Sequence, residues 1–278
     1  MKFITLTNNG YLDYTRNLIE SLRRIDVKQP SECGEAGCVF EPLKVYCIGQ
    51  ECYDKLEYDN KELLNEDCPG DFQQFREGEW NKVMLQKMNI IHKELMKGEN
   101  VLFTDGDIVW LDNRFQKDFQ NRLDDNDILF QNDHQEDSDD GQLCCGLMYV
   151  NNNETTKGLF DISKIKSEEF KCDQIFFNDN KDKFTYYKMP LKKYPNGKYF
   201  YTRQPERPYM IHFNYVIGEM KKQFTHRPLI TCHFSFERLT SNFFSCRRTS
   251  NRFWIAFSST ESSIIYFIKN ADRNTCKA

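Results

Sequence analysis

Two carboxylates stand one residue apart in VLFTDGDIVW, residues 101–110, with apolar or aromatic residues on both sides. Aspartate disfavours strand interiors, and an uncompensated carboxylate is costly to bury. Asp105 and Asp107, at the mouth of a buried element, therefore call for a partner. Read as one strand, residues i and i+2 point the same way. Both acids then aim into one space at the strand's C-terminal end, where open α/β sheets bind ligands. Like charges sharing a site repel unless a cation lies between them, and a hard divalent ion takes one or two carboxylates plus substrate phosphates. Gly106 allows a close approach of ligand or backbone. The plain alternative is an Asp-Gly-Asp surface turn; the apolar flanks VLF and IVWL favour a site.

A second constellation lies far along the chain in YMIHFNYVIGEMKK, residues 209–222. His212 follows an apolar run, and Gly218 precedes Lys221 and Lys222. Imidazole suits Mn²⁺-type ions, and lysine is a point charge suited to a diphosphate. Taken singly, His212 reads as a satisfied core histidine and the lysines as a solvated face.

The surrounding pattern supplies elements able to position these groups. KFITLTN (2–8) and LKVYCIG (43–49) read as buried strands, with a helical pattern of Tyr14, Leu18, Ile19 and Leu22 between them. Residues 28–42 are rich in Pro, Gly and Cys and read as loop. Residues 50–78 are polar and irregular, with a helical possibility around Asp59–Leu64. From Trp80 to Lys97 the residues Trp80, Met84, Met88, Ile91 and Leu95 form one helical stripe that Gly98 ends. DILFQND (127–133) and CCGLMYVN (144–151) read as strands, and EFKCDQIFFNDN (169–180) as a helix. Strand and helix in alternation with short links predict an α/β, mostly parallel sheet wrapped by helices.

The bulk numbers fit a soluble globular chain rather than a disordered one. Of 278 residues, 39% are hydrophobic and 29% charged, and the net charge of −4 lacks the basic footprint of a general nucleic-acid binder. No apolar window approaches the ~20 residues of a membrane span, and the N-terminus lacks a signal-peptide pattern, so a cytoplasmic location is expected. The 11 cysteines include Cys33, Cys38, Cys47 and Cys52, conceivable as a four-cysteine zinc site. Free thiols are the plainer reading, since Cys47 sits inside a strand pattern. Residues 224–278 differ in kind: from Glu237 on, three acidic residues face seven Lys or Arg among many Ser and Thr. The chain therefore divides into a domain over 1–223 and a basic Ser/Arg-rich C-terminal tail.

Several stretches in fixed order, TLTNNGYLDYTRNLIESL, MLQKMNIIHKELMKGENVLFTDGDIVWLD, DILFQND, CCGLMYV, CDQIFFN and IHFNYVIGEMKK, resemble the nucleotide-diphospho-sugar transferases of the GT-A fold. Retaining glycosyltransferase family 77 is the nearer likeness and family 8 the more distant, over residues 2–222. The resemblance implies a Rossmann-like, mostly parallel sheet with a DxD motif at a strand end, and a UDP-sugar donor with Mn²⁺ or Mg²⁺. Asp105 and Asp107 would be the DxD acids, His212 the third metal ligand, and Lys222, or Lys221 as in family 8, the diphosphate holder after Gly218. Thr7 and Asn8 would line the nucleotide pocket and Lys87 would touch the donor. Asp133 would bind sugar hydroxyls, and Asp173 and Gln174 would flank the anomeric carbon. One departure stands out: relatives place Asn-Ser-Gly or Asn-Ala-Gly where this chain has Cys144-Cys145-Gly146, and thiols are weak hydrogen-bonding groups.

Such a site suits transfer of a sugar to a glycan, protein or lipid-linked acceptor, with retention of configuration implied by family 77. Two other classes compete. A haloacid-dehalogenase-like phosphatase would use Asp105 as nucleophile but leaves the His…Gly…Lys stretch without a role. A non-catalytic nucleotide-sugar-binding GT-A module would bind without turnover.

Overall fold

The computed structural model describes residues 1–25, 41–64, 68–71, 73, 77–120, 122, 125–137, 141–166 and 170–215, and the backbone of strands 243–247, 252–256 and 267–268. The chain divides into two units, Met1–His226 and Arg227–Ala278.

In the first unit, β1 (Lys2–Thr7), α1 (Leu12–Arg24), β2 (Lys44–Ile48), α2 (Gln50–Lys55) and β3 (Lys61–Leu64) are followed by α3 (Trp80–Leu95). Then come β4 (Val101–Thr104), β5 (Ile108–Trp110), α4 (Phe115–Gln120), β6 (Ile128–Asn132), β7 (Leu143–Val150) and α5 (Glu154–Phe160). The unit continues with α6 (Asp173–Asp179), β8 (Tyr186–Met189), α7 (Gly197–Arg203) and β9 (Met210–His212). Seven strands form one sheet in the order β3-β2-β1-β4-β7-β6-β8. Its pairs are parallel except that β7 runs antiparallel to both β4 and β6. β5 and β9 form a separate antiparallel pair. The α/β, mostly parallel sheet expected from the sequence is present.

Strand alternation sorts the core into two layers. Phe3, Val45, Leu102 and Leu129 join Leu18 and Leu22 of α1 and Trp110 on one side. Ile4, Tyr46, Phe103 and Phe130 join Met88, Ile91 and Leu95 of α3 on the other. Because helices cover both faces, β4 and β7 are buried throughout and read as continuous apolar runs rather than alternating ones.

Three local expectations need correction. Residues 59–64 are not helical: KELL has helix-forming composition, but Lys61–Leu64 pairs in parallel with Val45–Ile48 as the edge strand β3. Residues 50–78, polar and irregular in pattern, also hold α2 at Gln50–Lys55. VLFTDGDIVW is not one strand; it leaves the large sheet after Thr104 and resumes in the small one at Ile108. The loop over 28–42 falls mostly outside the described residues, as do Cys33 and Cys38. Cys47 and Cys52 are free, buried thiols that share a hydrogen bond.

In the second unit, the backbone of β10 (Phe243–Arg247), β11 (Arg252–Ala256) and β12 (Phe267–Ile268) forms an antiparallel three-stranded sheet. Among the described residues, no helix is long and apolar enough to cross a membrane.

Candidate active site

Asp105-Gly106-Asp107 is a turn between two sheets. The Ile108 N–H donates to the Asp105 carbonyl at 3.2 Å, closing a β-turn. The two carboxylates converge because of this turn, not because of strand alternation. Both ends of the turn are pinned by main chain: the Asp105 N–H donates to the Gly146 carbonyl at 2.7 Å, and the Phe213 N–H to the Asp107 carbonyl at 3.1 Å. α1 backs it closely, since a Cβ on Gly106 would meet Thr15 Oγ1 at 3.1 Å. Beyond it β5 is anchored by Trp110, whose ring packs 4.1 Å from Phe115 and edge-on to Phe3.

β9 lies antiparallel to β5 with His212 opposite Ile108, which brings residue 212 beside residues 105 and 107. One ligand atom from each of Asp105, Asp107 and His212 lies within 4.8 Å of the other two. His212 Nε2 is 3.2 Å from Asp107 Oδ1. His212 and Asp107 are buried, while the Asp105 side chain keeps 36% exposure toward the cleft. Burial raises the Asp105 pKa and the Asp107 charge adds to that, with Lys87 opposing. Two hard carboxylate donors and one imidazole facing a common point, with one lysine to offset them, form a donor set that suits Mn²⁺ or Mg²⁺.

Lys87, on the buried stripe of α3, is 2% exposed. Its Nζ lies 2.8 Å from Asp173 Oδ2, 3.3 Å from Asp105 Oδ1 and 4.5 Å from the Phe103 ring centre. Burial works against its charge, but Asp105 and Asp173 outweigh it and hold its pKa above the ordinary lysine value. Asp173 opens α6, capped by the Cys172 sulfur, which accepts from the Ile175 N–H. Gln174 Nε2 donates to Asp133 Oδ2 at 2.9 Å, and Asn214 Nδ2 to Asp133 Oδ1 at 3.2 Å. Burial pushes the Asp133 carboxyl up, and these donors only partly restrain it. Cys144 and Cys145 face the same cleft, and burial raises both thiols well above their usual range.

Thr7 and Asn8 line the cleft at the end of β1. The Thr7 hydroxyl accepts from Thr15 Oγ1 at 2.8 Å, and Asn8 Nδ2 donates to the Asp71 carbonyl at 2.6 Å. Asn8 Oδ1 is buried without a hydrogen-bond partner among the described residues. Asp105, Asp107, His212, Lys87, Asp173, Gln174, Thr7 and Asn8 thus line one cleft, and Asp133 joins it through Gln174. Gly218, Lys221 and Lys222 lie outside the described residues.

Sequence reasoning passed over two contributors. Gln131 Oε1 lies 2.6 Å from His212 Nδ1; an amide inside the apolar strand ILFQN was its only signal. Gly146 gives the His212 ring its space, since a Cβ there would lie 2.9 Å from both ring nitrogens. In the sequence, the two preceding thiols are what stands out beside it.

Comparison with known proteins agrees with this geometry. The family model of the nucleotide-diphospho-sugar transferases matches residues 48–225. The UDP-galactose:fucoside alpha-3-galactosyltransferase of Dictyostelium discoideum is 24% identical over 80% of this chain. The match covers 41% of that relative, so the chain spans less than half its length. Among solved structures, the galactosyltransferase LgtC in complex with donor and acceptor sugar analogs aligns with 77% of this chain and 87% of its own, at 11% identity and a TM-score of 0.50. A glycosyltransferase involved in glycosylation of the major capsid of PBCV-1 aligns with 81% of this chain and 98% of its own, at 13% identity and the same TM-score. These structural likenesses establish the fold. With the family model covering well over half its length, the chain belongs to the nucleotide-diphospho-sugar transferases, glycosyltransferases of the GT-A fold.

Proposed function

We propose that this chain transfers a sugar from a UDP-sugar to a glycan or protein acceptor, with a divalent ion held by Asp105, Asp107 and His212 and with retention of anomeric configuration. The observation that carries the reading is the convergence of those three side chains in a cleft that Lys87 also lines. Galactose is the first donor sugar to test, on the name of the Dictyostelium relative. Family membership displaces the phosphatase reading, in which Asp105 would be a nucleophile.

When bound, the ion supplies Lewis-acid stabilisation of a leaving diphosphate. The chain's own groups do the rest. Asn8 Oδ1, buried and unpartnered among the described residues, suits the imide N–H of a uracil. Asp133 and Gln174 orient sugar hydroxyls, and Asp173, beside Lys87, presents negative charge to the oxocarbenium-like sugar. The C1–O bond to the diphosphate breaks with its electron pair leaving on the phosphate oxygen. The acceptor hydroxyl forms the new C1–O bond on the same face, and its proton passes to the departing diphosphate. Lys222 or Lys221 would add positive charge there, on the resemblance alone.

The test is donor hydrolysis across a panel of UDP- and GDP-sugars, with Mn²⁺ and with EDTA. Manganese-dependent UDP release from one donor, lost in Asp105→Ala and Asp107→Ala, is expected. Unchanged release in either variant overturns the metal assignment. Nucleotide binding without turnover, with and without candidate acceptors, returns the chain to a binding-only role.

A further inference from the structure

An imidazole binds a metal through an unprotonated nitrogen, so the position of its one neutral-state proton decides whether it can serve. In His212 the two nitrogens face different surroundings. Nε2 points at Asp107, 3.2 Å from Oδ1. Nδ1 meets the Gln131 carbonyl oxygen at 2.6 Å and the Cys144 sulfur at 3.8 Å. Left to Asp107 alone, the proton of a neutral ring would sit on Nε2, where the carboxylate accepts it. The Cys144 thiol would stabilise that same wrong tautomer by donating to a bare Nδ1.

Gln131 opposes both. Its amide orientation is fixed, because Nε2 donates to the main-chain carbonyl of Tyr194 at 3.2 Å. Oε1 is therefore the atom turned to His212, and an acceptor there demands a proton on Nδ1. Gln131 and Tyr194 are both fully buried, so no water substitutes freely. The strand geometry that aims Gln131 is specific. β6 and β7 pair in register through Phe130–Met148, then shift so that Gln131 pairs with Cys144. The shift skips Cys145-Gly146-Leu147, a bulge that re-aims the side chain and sets the bare face of Gly146 against the imidazole.

We infer that Gln131 is a positioning residue that keeps the His212 proton on Nδ1 and so reserves Nε2 for the metal. The inference rests on His212 being a metal ligand, as proposed above. Outer hydrogen-bond partners of this kind typically carry about 10–100-fold in metal affinity.

The experiment uses the full chain. Mn²⁺ affinity is measured by titration, without and with UDP, for wild type, Gln131→Met, Gln131→Leu and His212→Ala. The protonated nitrogen of His212 is read in metal-free protein by ¹⁵N–¹H correlation. Expected are an Nδ1-bound proton in wild type, its loss in Gln131→Met, and Mn²⁺ affinity about 10–100-fold weaker, with kcat recovering toward wild type at saturating Mn²⁺. A wild-type His212 lacking a proton on Nδ1 overturns the proposal without any variant having to fold. So does wild-type Mn²⁺ affinity in folded Gln131→Met or Gln131→Leu. Failure of the underlying reading looks different: wild type and His212→Ala then bind Mn²⁺ equally or not at all.

Discussion

The corner of the cleft holding Asp105, Asp107 and His212 and the wall holding Lys87, Asp173, Gln174 and Asp133 are both largely buried, but they are assembled differently. The corner is positioned by main chain: a β-turn between two sheets, strand register, and carbonyls of Gly146 and Asp107 taken by backbone amides. The wall is positioned by side chains compensating one another's charge, Lys87 between two carboxylates and Gln174 on a third. The first should therefore be sensitive to backbone shape and the second to charge.

The largest expected effect falls on the wall. Lys87→Met leaves Asp105 and Asp173 facing each other without their cation. Breaking a buried pair from one side costs about 3–5 kcal/mol, which urea unfolding would register. An unchanged midpoint would mean the wall is not held by charge.

Gly146→Ala probes the corner. The added methyl cannot fit beside the His212 ring, so strand or imidazole must move, at about 1–3 kcal/mol. A displacement near 1 Å can cost about 10²-fold in turnover. Mn²⁺ titration and kcat should fall together here, and a variant with wild-type metal affinity would show that the corner yields more than its main-chain pinning suggests.

The smallest effect is expected from Gln174→Ala. Its amide donates to the Asp133 carboxylate and holds down a pKa that burial raises. Without it, Asp133 takes up its proton at higher pH, so the acid limb of the pH–rate profile moves upward. About tenfold in kcat/KM at neutral pH matches the ~1.5 kcal/mol of one hydrogen bond to a charged group. A limb that stays in place or moves to lower pH removes Asp133 as the ionisation behind it.

The contrast also explains what was legible in the sequence. Asp105 and Asp107 stood out because two acids between apolar runs have few innocent explanations, yet the reason they converge, a turn joining two sheets, is a fact of pairing and not of spacing. The α3 stripe announced itself by its 3.6-residue period, and it carries Lys87. β3 was hidden because Lys, Glu and Leu favour helix locally, while its pairing with β2 is set by residues some sixteen positions away. Gln131 and Gly146 were silent for the same reason: each matters through His212, more than sixty residues downstream, and through a register shift that no local pattern encodes.

The turn at residues 105–107 is also a seam. Asp105 follows directly on a strand of the seven-stranded sheet, whereas Asp107 precedes β5 and His212 ends β9, both in the two-stranded sheet. Any ligand that bridges these three side chains is a crosslink between the two sheets, and mass action then ties its occupancy to their cohesion. Cofactor supply would set the melting temperature as well as the rate, and a substitution that loosens the small sheet far from the cleft would register first as a weakened appetite for metal.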